Sequence, residues 1–191
     1  MLYFWKNDKS DSPKTLNTRH RSLVLKTIAP VIILLAIISF ASCEKDDICV
    51  EGNTPLLVIR FYGAVATQVT KKVPSLRIVG LGENTTVNTI VDRSSLDSIA
   101  LPLKINENPT SFLFIENSAD DENGFENGNI DTVTFNYKTK EVFISRACGY
   151  IANYEELEGS LTPDTSNWIK TISTIDSTVT NQATAHVKIY H

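Results

Sequence analysis

Apolar residues along this chain form one early block and then a succession of short runs. Ile28 to Phe40 is an apolar core of 13 positions preceded by Arg19, Arg21 and Lys26. That length suits the h-region of an export signal and falls short of the roughly 20 residues that span a bilayer. Extension back to Leu23 meets Lys26 and Pro30, so a retained transmembrane helix stands as the alternative. From Leu56 onward the periods are those of strands. Leu56–Tyr62 is a continuous apolar run, expected as a central strand covered on both faces. Leu76–Leu81, Thr86–Val91 and Thr110–Ile115 read as further strands. Ser98–Ile105 alternates, with Ile99, Leu101, Leu103 and Ile105 on one face, and Pro102 marks an edge because it lacks an N–H. Asp131–Tyr137 and Glu141–Ala147 form a hairpin across a Lys138-Thr139-Lys140 turn, and Gly149 releases the backbone for a bend. Asn153–Gly159 reads as one helical turn between an Asn cap and a Gly stop. Trp168–Asp176 is taken as a strand on its Thr and Ile content. Ala185–Tyr190 closes the chain with Val187 and Ile189 inward. Short strands in this number predict an all-β antiparallel sandwich of immunoglobulin-like architecture, following an N-terminal signal helix.

The small residues ahead of Cys43 sharpen the reading of the first block. Phe40-Ala41-Ser42-Cys43 resembles the lipobox of bacterial lipoproteins, with Phe40 standing where those usually carry Leu. The resemblance implies cleavage before Cys43 and a diacylglyceryl group on its thiol. The expected parts are then a signal peptide over 1–42 with a long polar n-region, a lipidated cysteine and tether over 43–54, and a sandwich over 55–191. Glu44-Lys45-Asp46-Asp47 resembles the surface-export tether of Bacteroidota lipoproteins, against the plainer reading of a polar linker. Outer-membrane anchoring follows from the resemblance, on either the surface or the periplasmic face.

Charge divides at the same point. Residues 1–42 hold six Lys+Arg and two Asp+Glu, a net of +4, whereas residues 43–191 hold 12 and 20, a net of −8. An acidic domain without a basic stripe argues against nucleic acid as a partner, and its charge argues against binding an anionic membrane surface through the domain itself. Three cysteines are present, Cys43, Cys49 and Cys148. With Cys43 modified, Cys49 and Cys148 make an even pair in an oxidising compartment. Bridged, they would close a loop of about 100 residues, which the chain-entropy account values at roughly 4–5 kcal/mol. Two buried free thiols are the alternative.

Candidate chemistry is sparse. Glu116–Asp131 is dense in oxygen ligands, but Gly124 follows Asp121 and Asn123 where an EF-hand needs its next ligand, so no metal site is assigned. Of the three histidines, His20 leaves with the export segment, and His186 alternates outward from Val187 and Ile189. Glu155, Glu156 and Glu158 read as solvated carboxylates. No phosphate loop, dinucleotide fingerprint or other cofactor motif is present, and no catalytic residue is assigned. Tyr150 and Tyr154 are the aromatics expected at the surface and the candidate contacts for a glycan. Asp97-Ser98-Ile99, Asp131-Thr132-Val133 and Asp176-Ser177-Thr178 resemble the Bacteroidota O-glycosylation acceptor.

Cys43 to Gly52, Asp97–Leu103, Ala185–Tyr190 and above all Ser145-Arg146-Ala147-Cys148-Gly149-Tyr150 together resemble a family of small Bacteroidota lipoproteins carrying a domain of unknown function. The resemblance implies an envelope lipoprotein with a β-rich domain and brings no catalytic residue with it. The expected function is a non-enzymatic binding or structural module held to the membrane through Cys43, with an envelope protein as partner. A surface glycan-binding module is the alternative, and a hydrolase stands behind both.

Overall fold

The computed structural model describes Pro30, Cys49 and residues 52–191. The chain divides into two units, Met1–Asp46 and Asp47–His191, and every strand among the described residues belongs to the second. The expectations for the export segment, Cys43 and Glu44-Lys45-Asp46-Asp47 lie outside the described residues.

Among the described residues nine strands run in order: β1 Leu57–Tyr62, β2 Val73–Gly80, β3 Ser94–Leu96, β4 Ser98–Leu101, β5 Thr110–Glu116, β6 Asn129–Ser145, β7 Gly149–Leu161, β8 Thr171–Thr174 and β9 Val187–Tyr190. They form a four-stranded sheet, β4-β1-β9-β8, and a five-stranded sheet, β3-β2-β5-β6-β7. The all-β sandwich is thus borne out. Pairing is antiparallel throughout except between β1 and β9, which run parallel from Ile59↔Val187 to Tyr62↔Tyr190.

Alternation explains the core. Leu57, Ile59 and Phe61 point inward from β1 while Arg60 faces solvent, so β1 is interior to its sheet but covered on one face only. Ile99 and Leu101 of β4 and Val187 and Ile189 of β9 complete that layer; Leu76, Ile78, Phe112, Phe114, Val133 and Phe135 face them from the second sheet. Fully burying side chains of this size is worth roughly 1.5–3 kcal/mol each. Strand β4 lies at an edge and stops at Leu101, the residue before Pro102, as the missing N–H demands.

Four further local expectations fail. Thr86–Val91 is a loop with a single bridge, Val79↔Thr86. Lys138-Thr139-Lys140 is not a turn: β6 runs straight through it, and the reversal comes at Ser145–Gly149, where Gly149 adopts φ +70° and the Cys148 N–H donates to Ser145 Oγ at 3.1 Å. Those lysines look turn-like because β6 has left the sandwich there and both its faces meet solvent. Asn153–Gly159 is strand, not helix. Tyr154 and Leu157 both point inward because a bulge at Glu156, φ +55°, shifts the alternation by one residue, which mimics a helical i, i+3 spacing. His186 is buried rather than outward: it precedes β9, so the strand's alternation does not govern it.

Candidate functional site

Strands β6 and β7 are 17 and 13 residues long, far longer than β5, which pairs with β6 only as far as Phe135. Beyond that point the two strands continue as a ribbon, flanked at its base by Ser177 and Val179, which bond to Leu157 and Tyr154 on the β7 edge. At its base, Tyr137 and Tyr154 pack edge to face at 5.0 Å across the end of the core. The Tyr154 hydroxyl donates to the Leu103 carbonyl at 3.0 Å, and the Tyr137 hydroxyl donates to the Lys104 carbonyl at 2.7 Å. Burial pushes the Tyr154 phenol up to about 12. The expectation of an exposed Tyr154 is corrected: its ring closes the core, leaving no Tyr150–Tyr154 platform for a sugar.

Tyr150 is where the sequence put it, 69% exposed, but its companion is Phe143, 55% exposed. The two sit directly opposite on paired strands, ring centroids 5.3 Å apart. Two residues before Tyr150, the reversal carries Cys148, and Cys49 is bonded to it with a Cα–Cα separation of 5.0 Å. Gly52 packs on this bridge so closely that a Cβ there would stand 2.8 Å from Cys49 Sγ. Thr54 Oγ1 then accepts the Ala152 N–H at 3.1 Å, which lays the entering chain along β7 on its way to β1.

The same end of the sandwich holds a cleft of about 420 Å³ between the turn after β2 and the loop joining β4 to β5. Leu81, Val87, Leu103 and Phe112 supply its apolar surface, and Glu83, Thr85, Lys104 and Ser111 bring polar groups to it. That volume lies in the range of small-ligand sites. The wall is stiff. Thr110 is buried, accepts the Lys104 N–H at 3.0 Å and meets the Tyr137 hydroxyl at 2.5 Å.

At the far end, the acidic loop after β5 is organised by arginines. Glu126 accepts from Ser118 Oγ at 2.7 Å, Gly128 N at 2.9 Å, Ala119 N at 3.1 Å and Arg77 at 3.1 Å. Burial pushes its carboxyl up, but those bonds outweigh it and the net shift is downward. Asp120 is held below the usual carboxylate range by its hydrogen bonds from Arg93. Asp121 closes its own loop by accepting from Asn123 N and Phe125 N. These three carboxylates are thus spent on guanidinium, hydroxyl and amide groups, and no metal-ligating cluster forms among the described residues.

Neither described histidine faces a substrate space. His186 is 1% exposed; its Nδ1 accepts the Val58 N–H at 3.1 Å, and its backbone N–H donates to the Val58 carbonyl at 2.8 Å. His191 stands edge-on to Trp168 and Phe61. Glu155 and Glu156 form exposed ion pairs with Lys140 and Lys138. Among the acceptor-like tripeptides, Asp131 is wholly buried, whereas Asp176-Ser177-Thr178 is exposed. The alternating pattern signalled neither the cleft nor the Phe143 partnership, because both arise from pairing between segments distant in sequence.

No curated protein and no solved structure matches this chain. A model of a family of unknown function, DUF6452, matches residues 75–191, which takes in the strands from β2 to β9 together with Cys148 and the Ser145–Tyr150 motif. The chain belongs to this family of unknown function.

Proposed function

We propose that the chain is a lipid-anchored lipoprotein of the bacterial cell envelope whose sandwich is a non-enzymatic binding module. One observation carries this reading. Cys49, only six positions after Cys43, is tied by a disulfide to the turn of the β6–β7 ribbon. Such a bridge strengthens the entry of the chain into the domain, where a protein held by its N-terminal residue is loaded. An oxidising compartment, as export would provide, is what lets it persist. The burial of His186 and the structural roles of Glu126, Asp120 and Asp131 favour binding over hydrolysis. The cleft beside Leu103 and Phe112 is the ligand-sized concavity this reading assigns to binding.

Mass spectrometry of the mature protein from its native membrane tests the anchor, and an acylated Cys43 at the N-terminus is the expected species. An unmodified Cys43 inside an intact leader would overturn the anchoring and favour the transmembrane alternative. Binding is tested by co-purification from that membrane. Material retained by the parent should be lost in the Leu81→Arg variant, which places a charge in the cleft at a side chain already 55% exposed. Retention unchanged by that charge would remove the cleft from the proposal.

A further inference from the structure

The ribbon tip is built unlike an ordinary solvated hairpin. Next to its last pair, Ser145↔Gly149, it carries Phe143 and Tyr150, with rings in edge-to-face contact, and Ile144 is 37% exposed on the other side of β6. Arg146 and Ala147 are exposed at the turn itself. Farther back along the ribbon the character changes abruptly to Glu141 and the ion pairs Lys140–Glu155 and Lys138–Glu156. Apolar and aromatic groups are therefore confined to the end, with a charged collar behind them.

Resting on the reading that Cys43 is acylated, we infer that this tip docks into the interface of the bilayer that holds the anchor. Phe143, Ile144 and Tyr150 would enter the boundary between headgroups and acyl chains, and Arg146 would meet lipid phosphate. Reach is the first argument. Six residues from Cys43 to Cys49 span at most on the order of 20 Å, and the bridge makes the ribbon turn the point where that leash ends. No other part of the sandwich is tied so close to the lipid. Dimensions are the second. At about 3.3 Å per residue, Phe143 lies roughly 10 Å from the turn, which matches the 5–10 Å to which amphipathic elements enter an interface. Composition is the third, since Tyr and Phe with an adjacent Arg are side chains that partition to that layer. Lipid anchoring holds stably when a second membrane contact adds to the acyl chains, and the ribbon supplies one that also orients the domain.

The test uses the full chain, processed in its own envelope and reconstituted in vesicles of phosphatidylethanolamine and phosphatidylglycerol, with or without bromine near the glycerol end of the acyl chains. Emission is read from Tyr150→Trp and, at the opposite end of β1, from Val65→Trp, which replaces a fully exposed side chain. Parent emission, dominated by the buried Trp168, is subtracted. The expected result is a blue shift and loss of most of the added emission in brominated vesicles for Tyr150→Trp, with none for Val65→Trp. Intact mass on the same samples reports acylation of Cys43. Acylated protein whose two variants respond alike would overturn the docking and leave the anchor standing. Tips that cross-link to each other, or that protect Tyr150 by binding soluble glycan while remaining unquenched, would overturn it as well. Unacylated Cys43 would overturn both readings.

Discussion

His186 offers a quantitative test of how the last strand is held. Its Nδ1 accepts the Val58 N–H, so the folded state needs the imidazole neutral with that nitrogen bare. Burial lowers its pKa from the ordinary 6.5, opposed in part by the Asp176 carboxylate. Burial likewise lowers His191 from 6.5. The sign follows directly. As pH falls through 6.5 the unfolded chain takes up protons on both rings before the folded chain does, so stability is lost with acidification until the depressed folded values are reached. Each unmatched proton contributes a slope of up to about 1.4 kcal/mol per pH unit. Carboxylates held low, such as Asp120 and Glu126, act below about pH 5, so the two windows separate. His186→Asn keeps an acceptor near the position of Nδ1 and removes the titration. Urea unfolding of Asp47–His191, followed through the buried Trp168 between about pH 5 and 8, should show a slope near half the parent's in that variant. His186→Ala should instead cost about 1–3 kcal/mol at every pH, for the orphaned Val58 N–H. An identical slope in parent and His186→Asn would refute the assignment of Nδ1 as an obligatory acceptor.

Other substitutions probe the same packing. Asp131 accepts from Ile169 N at 2.7 Å and Asn167 Nδ2 at 3.0 Å while wholly buried; Asp131→Ala should cost about 3 kcal/mol in urea unfolding. A Cβ on Gly128 would stand 2.6 Å from Ile115 Cγ2 and 2.8 Å from the Glu116 carbonyl. Gly128→Ala should therefore lose about 1–3 kcal/mol and open the 117–128 loop to limited proteolysis. The Tyr154 phenol, raised to about 12, resists ionisation in the fold, so stability falls as pH rises from 10 toward 12. Tyr154→Phe should flatten that alkaline decline in thermal melts.

Legibility in the sequence followed the physics of each segment. Runs with one buried face and unbroken alternation, such as Thr110–Phe114 and Val187–Ile189, are readable because period two needs only neighbours. The cysteine pair is legible by counting once Cys43 is set aside for the expected lipid. Segments whose state depends on distant partners were not readable. Lys138–Lys140 is strand only because Glu155 to Asn153 pair with it, and the bulge at Glu156 hides the phase of β7. His186 and Tyr154 escape a local reading for one shared reason. Each is buried by bonding to a remote backbone, Val58 and Leu103 respectively, and no local pattern encodes that.

The bridge at the ribbon turn also decides how the domain answers a pull. Without it, tension on the N-terminal segment would arrive at Leu57 and drag β1 lengthwise out from between β4 and β9. With it, tension divides at Cys49 and enters β6 and β7 together through their common turn. Both strands are then drawn in the same direction, so their mutual hydrogen bonds are not peeled apart one by one. The force passes up a two-stranded strut to Tyr137 and Tyr154 and spreads across the core. A reduced protein should yield at β1 under a weaker pull than an oxidised one.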